Sequence, residues 1–378
     1  MLTLRSSSPR PAPPILRALN SSCSNASRFL VRFPSNFPLL PVMKIAFRFL
    51  ISALLISQVS LGQKNYPTMG KVIYDDPALE KLISKDARIE VLASGFEWSE
   101  GPVWVKEGGF LLFSDVPQNR VYKWDEKAGL SVFLEPSGYT GKGVYSDEPG
   151  SNGLIIDSKG RLISCEHGDR RISAMPLNVG GKVTLAAHFD GKRFNSPNDV
   201  TEHANGSYYF TDPPYGMNKK HADPTREIPQ FGVYRIAKDG KITQEIADLT
   251  RPNGLAFSPD GKTLYVAQSD PEKAVIMSYP VDAGGKIGSG KLLYDATPML
   301  KAGKAGLPDG LKIDKDGNLW SSGPGGMLIL TPAGKLLGRI EMNELTSNCA
   351  WGNDGATLYM TVDGYVCRIK TQTKGAGW

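Results

Sequence analysis

Pro252-Asn253-Gly254-Leu255-Ala256-Phe257-Ser258-Pro259-Asp260-Gly261-Lys262-Thr263-Leu264-Tyr265-Val266-Ala267 is the stretch that decides the fold. It reads as a strand, a tight turn at Asp260-Gly261, and a second strand of β-branched and aromatic residues. Ala274–Tyr279 and Gly290–Tyr294 supply two more strand-like runs, making a unit of four. A polar residue, Asn253, heads the unit, and a glycine follows eight residues later. The same arrangement opens at Glu100-Gly101-Pro102-Val103, Asn152-Gly153-Leu154, Asn198-Asp199-Val200, Asp309-Gly310-Leu311 and Asn348-Cys349-Ala350. Gly108, Gly160, Gly206 and Gly317 keep the spacing of eight, and Gly355 stands at seven. Repeats of about fifty residues built from short strands stack radially as propeller blades. Six copies therefore predict an all-β fold, a six-bladed β-propeller with four-stranded blades.

Closure of the ring follows from the same count. After Asn348 the chain has room for only about three strands, while Ala87–Ala93 is a spare strand before the first head. It is expected to pair as the outer strand of the last blade, so that no raw sheet edge is left there. Asp76–Ile83 reads as a short helix. Three long insertions interrupt the repeats, at Leu134–Pro149, Pro213–Pro229 and Thr297–Leu307. Loops of this length are usually functional, and these three are expected to wall a pocket beside the heads.

The net charge of +6 suggests a nucleic-acid or anionic-membrane partner until it is located. Seven of the 44 Lys and Arg residues, and none of the 38 Asp and Glu, lie in residues 1–62, so the body is near neutral. No polycation remains to bind nucleic acid. Met43-Lys44-Ile45-Ala46-Phe47-Arg48 followed by an apolar run to Leu61 reads as a signal peptide over 43–62, cleaved before Gln63. The expected organisation is residues 1–42 untranslated or disordered, 43–62 a leader, and 63–378 a single propeller domain. Export to the periplasm or the exterior follows, with no membrane attachment after cleavage. An Arg- and Ser-rich transit peptide from Met1, or a retained anchor, is the alternative. Beyond the leader remain Cys165, Cys349 and Cys367, an odd number in apolar strand-like contexts, expected as buried thiols. Cys/His zinc spacing is absent, and four histidines disfavour a multi-histidine centre.

A radial stack brings the six heads to one level around one axis. Glu100, Asn152, Asn198, Asn253, Asp309 and Asn348 then form a ring of hard oxygens, the donor set of a calcium-like cation. Glu100 and Asp309 would neutralise its charge. The competing reading is that Asn and Asp merely cap the turns entering each strand.

Taken together, Glu100-Gly-Pro-Val-Trp104, Asn195-Ser-Pro-Asn-Asp199-Val, Phe210-Thr-Asp-Pro-Pro-Tyr-Gly216, Pro252-Asn-Gly-Leu255 and Pro308-Asp-Gly-Leu311 resemble the SMP-30/gluconolactonase/LRE family of sugar lactonases. The resemblance runs from about Ala93 to the C-terminus, motif by motif and in order. It implies one divalent cation in the central channel, held by Glu100, Asn253 and Asp309. It further implies Asn198 as a ligand or substrate contact, with Asp199 beside it. Ca2+ is the first expectation, with Zn2+, Mg2+ and Mn2+ as alternatives. Some members carry an arginine two positions before the Asn198 equivalent; here that residue is Ser196, and Arg193 is the nearest candidate. Asn152, Asn348, Arg193 and His167 are the candidate substrate contacts beside Asn198. Asp309 is the first candidate for general base and Asp199 the second. Asp212, Gln268 and Ser269 are weaker candidates for the pocket wall. No nucleophile elbow or Ser/His/Asp arrangement is present.

These residues predict a metal-dependent hydrolase of a small sugar lactone, monomeric or weakly oligomeric. A propeller that binds a sugar or protein without turnover is the main alternative, since fold alone does not fix function. Hydrolysis of another ester or a phosphotriester at the same site is a nearer one.

Overall fold

The computed structural model describes residues 64–378, so the expectations for residues 1–42 and for the leader over 43–62 lie outside the described residues. Each sequence repeat becomes the body of one antiparallel sheet, four-stranded in blades one to four. Blade one runs Ser99–Val105, Phe110–Asp115, Arg120–Asp125 and Gly129–Leu134. Blade two runs Ser151–Ile156, Arg161–Glu166, Arg171–Pro176 and Val183–Ala186. Val200–Glu202, Tyr208–Thr211, Val233–Ile236 and Ile242–Ile246 make blade three. The stretch that decided the fold opens blade four, whose strands are Pro252–Phe257, Thr263–Asp270, Lys273–Pro280 and Lys291–Asp295.

Blade six confirms the expected closure. Thr346–Gly352, Thr357–Val362 and Tyr365–Lys370 are completed by Ile89–Ser94, with Ile89 opposite Ile369 and Ser94 opposite Tyr365. Ile89–Ser94, which precedes the first head, thus covers the edge of the last blade. Blade five holds a surprise. To Leu311–Ile313, Leu319–Gly323, Gly326–Leu330 and Leu336–Glu341 the chain adds a fifth strand, Lys71–Tyr74, outside Leu336–Glu341. Four residues without alternation leave no sequence signal for it. The expected helix at Asp76–Ile83 is a 3-10 turn, Pro77–Lys81, capped by the Asp76 side chain on the Ala78 N–H. Its Leu79, with Leu82 and Ile83, is driven into the core shared by blades five and six.

The turns follow the sequence. Gly160, Gly206, Gly261, Gly317 and Gly355 all take φ between +70° and +86°, the left-handed region that hairpin turns need. In blade one that conformation falls on Gly109 rather than Gly108. Between blades lie large apolar side chains; Trp104 stacks on Tyr359 at 5.2 Å between blades one and six, and Trp320 meets Trp351 edge-on between five and six. Cys165, Cys349 and Cys367 are buried free thiols, as expected.

Candidate active site

Two local features aim the heads at the axis. First, the inner strand slips register at the head in four blades, between Glu100 and Val103, Ser151 and Leu154, Pro252 and Leu255, and Thr346 and Asn348. A bulge of this kind re-aims a side chain out of the pleat. Second, glycine follows the head in four blades because the next blade presses on it. A Cβ on Gly101 would stand 2.0 Å from the Asn152 carbonyl oxygen, and one on Gly310 would stand 2.0 Å from Asn348 Cγ. Backbone bonds link head to head along the ring, from Gly153 N–H to Asn198 O at 2.7 Å and from Gly254 N–H to Asp309 O at 3.2 Å. Residues scores apart in sequence become neighbours by this route.

The heads form the floor of a cavity of about 430 Å³. Glu100, Asn152, Asn198, Asn253 and Asp309 line it. Glu100 is 2 % exposed, whereas Asp309 is half-buried, ringed by protein but open to the cavity. Asn253 is oriented unambiguously. Pro308 O can only accept, so Ser269 Oγ donates to it at 2.6 Å and accepts from Asn253 Nδ2 at 2.9 Å. The Asn253 carbonyl oxygen is left for the cavity.

Asn348 behaves differently, and corrects the expected ring of six oxygens. Its Oδ1 accepts from the Cys349 N–H at 2.9 Å and from Lys312 Nζ at 3.4 Å. Its Nδ2 therefore faces the hub, donating to Glu100 Oε2 at 3.2 Å and reaching Asp199 Oδ2 at 3.5 Å. Asn348 gives the hub hydrogens, lies beneath the floor, and does not line the cavity. Asp199 lies beneath it as well, its Oδ1 held by the Val200 N–H at 2.8 Å.

Three buried or half-buried carboxyls thus share one hub, and they resist ionising together. Burial pushes Glu100 up to about 7, opposed by the Gly101 N–H and reinforced by Asp199. Burial raises Asp199, with Lys312 opposing. Asp309 is held well above the usual carboxylate range by burial and then by Glu100, Asp199 and Glu148. Among the described residues no group of three or more His, Cys, Asp and Glu side chains is set to hold an ion by itself. Carboxylates and amide oxygens together are a donor set suited to a hard divalent cation, which also removes the repulsion. Glu100, Asn198, Asn253 and Asp309 are the residues that would hold it.

The three insertions do wall the cavity, contributing Glu148, Tyr215 and Leu300 with Leu307. Ser269 lines it too, but Asp212 does not; it lies behind the wall, accepting from the Asn195 backbone N–H at 2.8 Å. His167 and Arg193 are not brought into the cavity. His167 is fully buried behind it, with Nδ1 against Glu148 O at 3.2 Å and Gly216 packed on its ring. Arg193 is spent on the Asp169 carbonyl at 3.2 Å, beside a small hairpin that no repeat foretells.

Trp98, Arg251 and Thr346 went unforeseen as wall residues, yet their position is legible. Each, like Leu307 at the end of the third insertion, stands two positions before a head, where the chain enters the inner strand. They form a second tier above the floor.

A family model described as SMP-30/Gluconolactonase/LRE-like region matches residues 98–363. A gluconolactonase of Zymomonas mobilis is 41% identical over 325 residues, 84% of this chain and 91% of that one. A gluconolactonase structure from Xanthomonas campestris superposes with a TM-score of 0.69 at 31% identity, covering 82% of this chain and 99% of that one. The fold alone is shared with a calcium-binding regucalcin of Agrobacterium tumefaciens, at a TM-score of 0.59 and 20% identity over 76% of this chain and 94% of that one.

Proposed function

The chain belongs to the SMP-30/gluconolactonase/LRE-like family, and from that premise we propose that it opens a sugar lactone by metal-assisted hydrolysis. The observation that carries the reading is the concentration of Glu100, Asp309 and Asp199 at the floor of a cavity, with Lys312 as the cation reaching the hub from below. A scaffold gains nothing from such repulsion, whereas a hydrolase can use it. A divalent cation held by Glu100, Asn198, Asn253 and Asp309, with Ca2+ the first choice for so oxygen-rich a set, would polarise the lactone carbonyl and stabilise the oxyanion.

The protein's own groups do the rest. Of the three hub carboxyls Asp309 is the most open to the cavity, so it is placed to take a proton from the attacking water. Asp199, tied down beneath the floor, is less accessible and serves better to hold Asn348 and the hub in register. The water's oxygen bonds to the carbonyl carbon, the ring C–O bond breaks, and the alkoxide receives a proton to give the open hydroxy acid. Asn348 fixes Glu100 through its Nδ2, and the insertions screen the site from bulk water.

Hydrolysis of glucono-δ-lactone above the uncatalysed rate tests the proposal. Chelation, Glu100→Gln and Asp309→Asn should each lower kcat/KM by roughly a hundredfold or more. A chelator-resistant enzyme defeats the metal assignment, and a folded wild type with no activity leaves a sugar-binding propeller as the surviving alternative. Export by a leader over 43–62 belongs to the same proposal, with a mature N-terminus at Gln63 as its check.

A further inference from the structure

The floor of the cavity serves the reaction, and the tier above it carries a different kind of information. Of the buried polar atoms without a partner among the described residues, two belong to the cavity wall: Tyr215 Oη and Thr346 Oγ1. A buried hydroxyl left unpaired is costly unless something arrives to pair with it. Tyr215 Oη lies by Ser269 Oγ, whose proton is already given to Pro308 O, so Ser269 cannot donate to the tyrosine and the Tyr215 oxygen keeps its acceptor capacity for a ligand. Arg251 is the third polar member of the tier. It makes no ion pair among the described residues, and its one side-chain hydrogen bond runs from Nε to His221 Nε2 at 3.3 Å. That contact anchors the inner edge of the guanidinium and leaves its two terminal nitrogens for the cavity.

Each of the three is firmly placed. Arg251 precedes the inner strand of blade four, and its carbonyl accepts from the Ser269 N–H at 3.0 Å. Tyr215 precedes Gly216, whose N–H donates to Ser196 Oγ at 3.1 Å and whose Cα sits on the buried His167 ring. Thr346 opens the inner strand of blade six, which faces blade three across the hub, as the Asn348–Asp199 contact shows. Apart from Glu148 and Ser269, the remaining wall is largely apolar: Trp98, Pro271, Leu300, Leu307 and Leu345. The apolar part suits the C–H face of a ring, with the Trp98 indole N–H as a further donor beside it.

We propose that Tyr215, Arg251 and Thr346 form a subsite that reads the hydroxyl groups of the lactone, while the floor residues handle its ester. The inference rests on the lactonase reading and deepens it. Hydroxyls both donate and accept, as Tyr215 and Thr346 do, and Arg251 supplies donors only, so the trio matches a polyol edge better than a hydrocarbon one. The recognised substrate is then a lactone hydroxylated on its ring carbons, and an unadorned lactone of the same ring size is a poor one. A site built to pair with a hydroxyl discriminates strongly against the analogue that lacks it.

The test compares glucono-δ-lactone with δ-valerolactone, the same six-membered ring without hydroxyls, in wild type, Tyr215→Phe, Arg251→Met and Thr346→Val. The expected result is that the ratio of kcat/KM for the two substrates falls about tenfold or more in Tyr215→Phe and Arg251→Met, chiefly through KM for glucono-δ-lactone. Thr346→Val should move it in the same direction. Ratios within about twofold of wild type in all three overturn the subsite and leave the lactonase reading standing. A wild type that opens neither lactone overturns both. Retained cooperative unfolding guards against a variant that has simply lost its fold, and Arg251→Lys, which keeps a charge without the fork, should recover part of the ratio.

Discussion

Asn348 and His167 show how far a residue's identity underdetermines its part. Asn348 has the oxygen that a cation site could use, but Cys349 N–H and Lys312 Nζ occupy it, so the amide presents its nitrogen to Glu100 and Asp199. Nothing in the local sequence encodes that rotation, because Lys312 and Glu100 belong to other blades. His167, placed among ionisable neighbours in the sequence, is buried with its Nε2 unpartnered, and burial lowers it to about 4. The sign of its linkage is definite. The unfolded chain takes up a proton on this ring near pH 6.5 and the folded chain only near 4, so the folded state loses stability as pH falls through that window. The loss approaches about 3 kcal/mol below pH 4. Equilibrium unfolding between pH 7 and 4 should show it, and His167→Gln should flatten that part of the profile. An unchanged slope in the variant would mean that His167 is charged or solvated in the fold.

At the scale of strands, alternation and turns account for most of what was legible. The eight-residue spacing from head to glycine marked the left-handed turn residue in four blades; in blade six it stands at seven, on Gly355, and in blade one at nine, on Gly109 rather than Gly108. Position relative to the heads also marks the second tier, since Trp98, Arg251, Leu307 and Thr346 each stand two residues before one. Lys71–Tyr74 was invisible because a four-residue edge strand is chosen by its partner, Leu336–Glu341, rather than by its own pattern. The closing strand Ile89–Ser94 was visible only by counting what blade six lacked. It makes a direct prediction. A chain begun at Gly95 loses this strand, the Lys71–Tyr74 edge of blade five and the Leu79, Leu82 and Ile83 plug, exposing the core between blades five and six. Its Tm should drop by roughly 10 °C or more, or the protein should aggregate through the bared edge. Unaltered melting would show that the ring closes without its first strand.

For the whole molecule, the hub is where stability and function meet. Carboxyls from blades one, three and five are forced together by ring closure, and their mutual repulsion is a standing cost that a bound cation would remove. Millimolar Ca2+ added to the chelated protein should therefore raise Tm by several degrees, by mass action on the folded state. Glu100→Gln should abolish that gain while raising the Tm of the chelated protein, because one of the repelling charges is gone. A calcium response that survives in Glu100→Gln would place the ion elsewhere.

The sequence by itself determined the six repeats, their strands and turns, the closing partner and the identity of the polar floor, because these rest on local periodicity and on the count of copies. Only the tertiary structure decided which oxygens face the cavity, that Asn348 shows its nitrogen, that His167 and Arg193 stand outside, and that Tyr215 and Arg251 stand within. Those outcomes depend on contacts between blades, where the neighbour that fixes a side chain lies tens to hundreds of residues away. The pattern of one strand cannot record them.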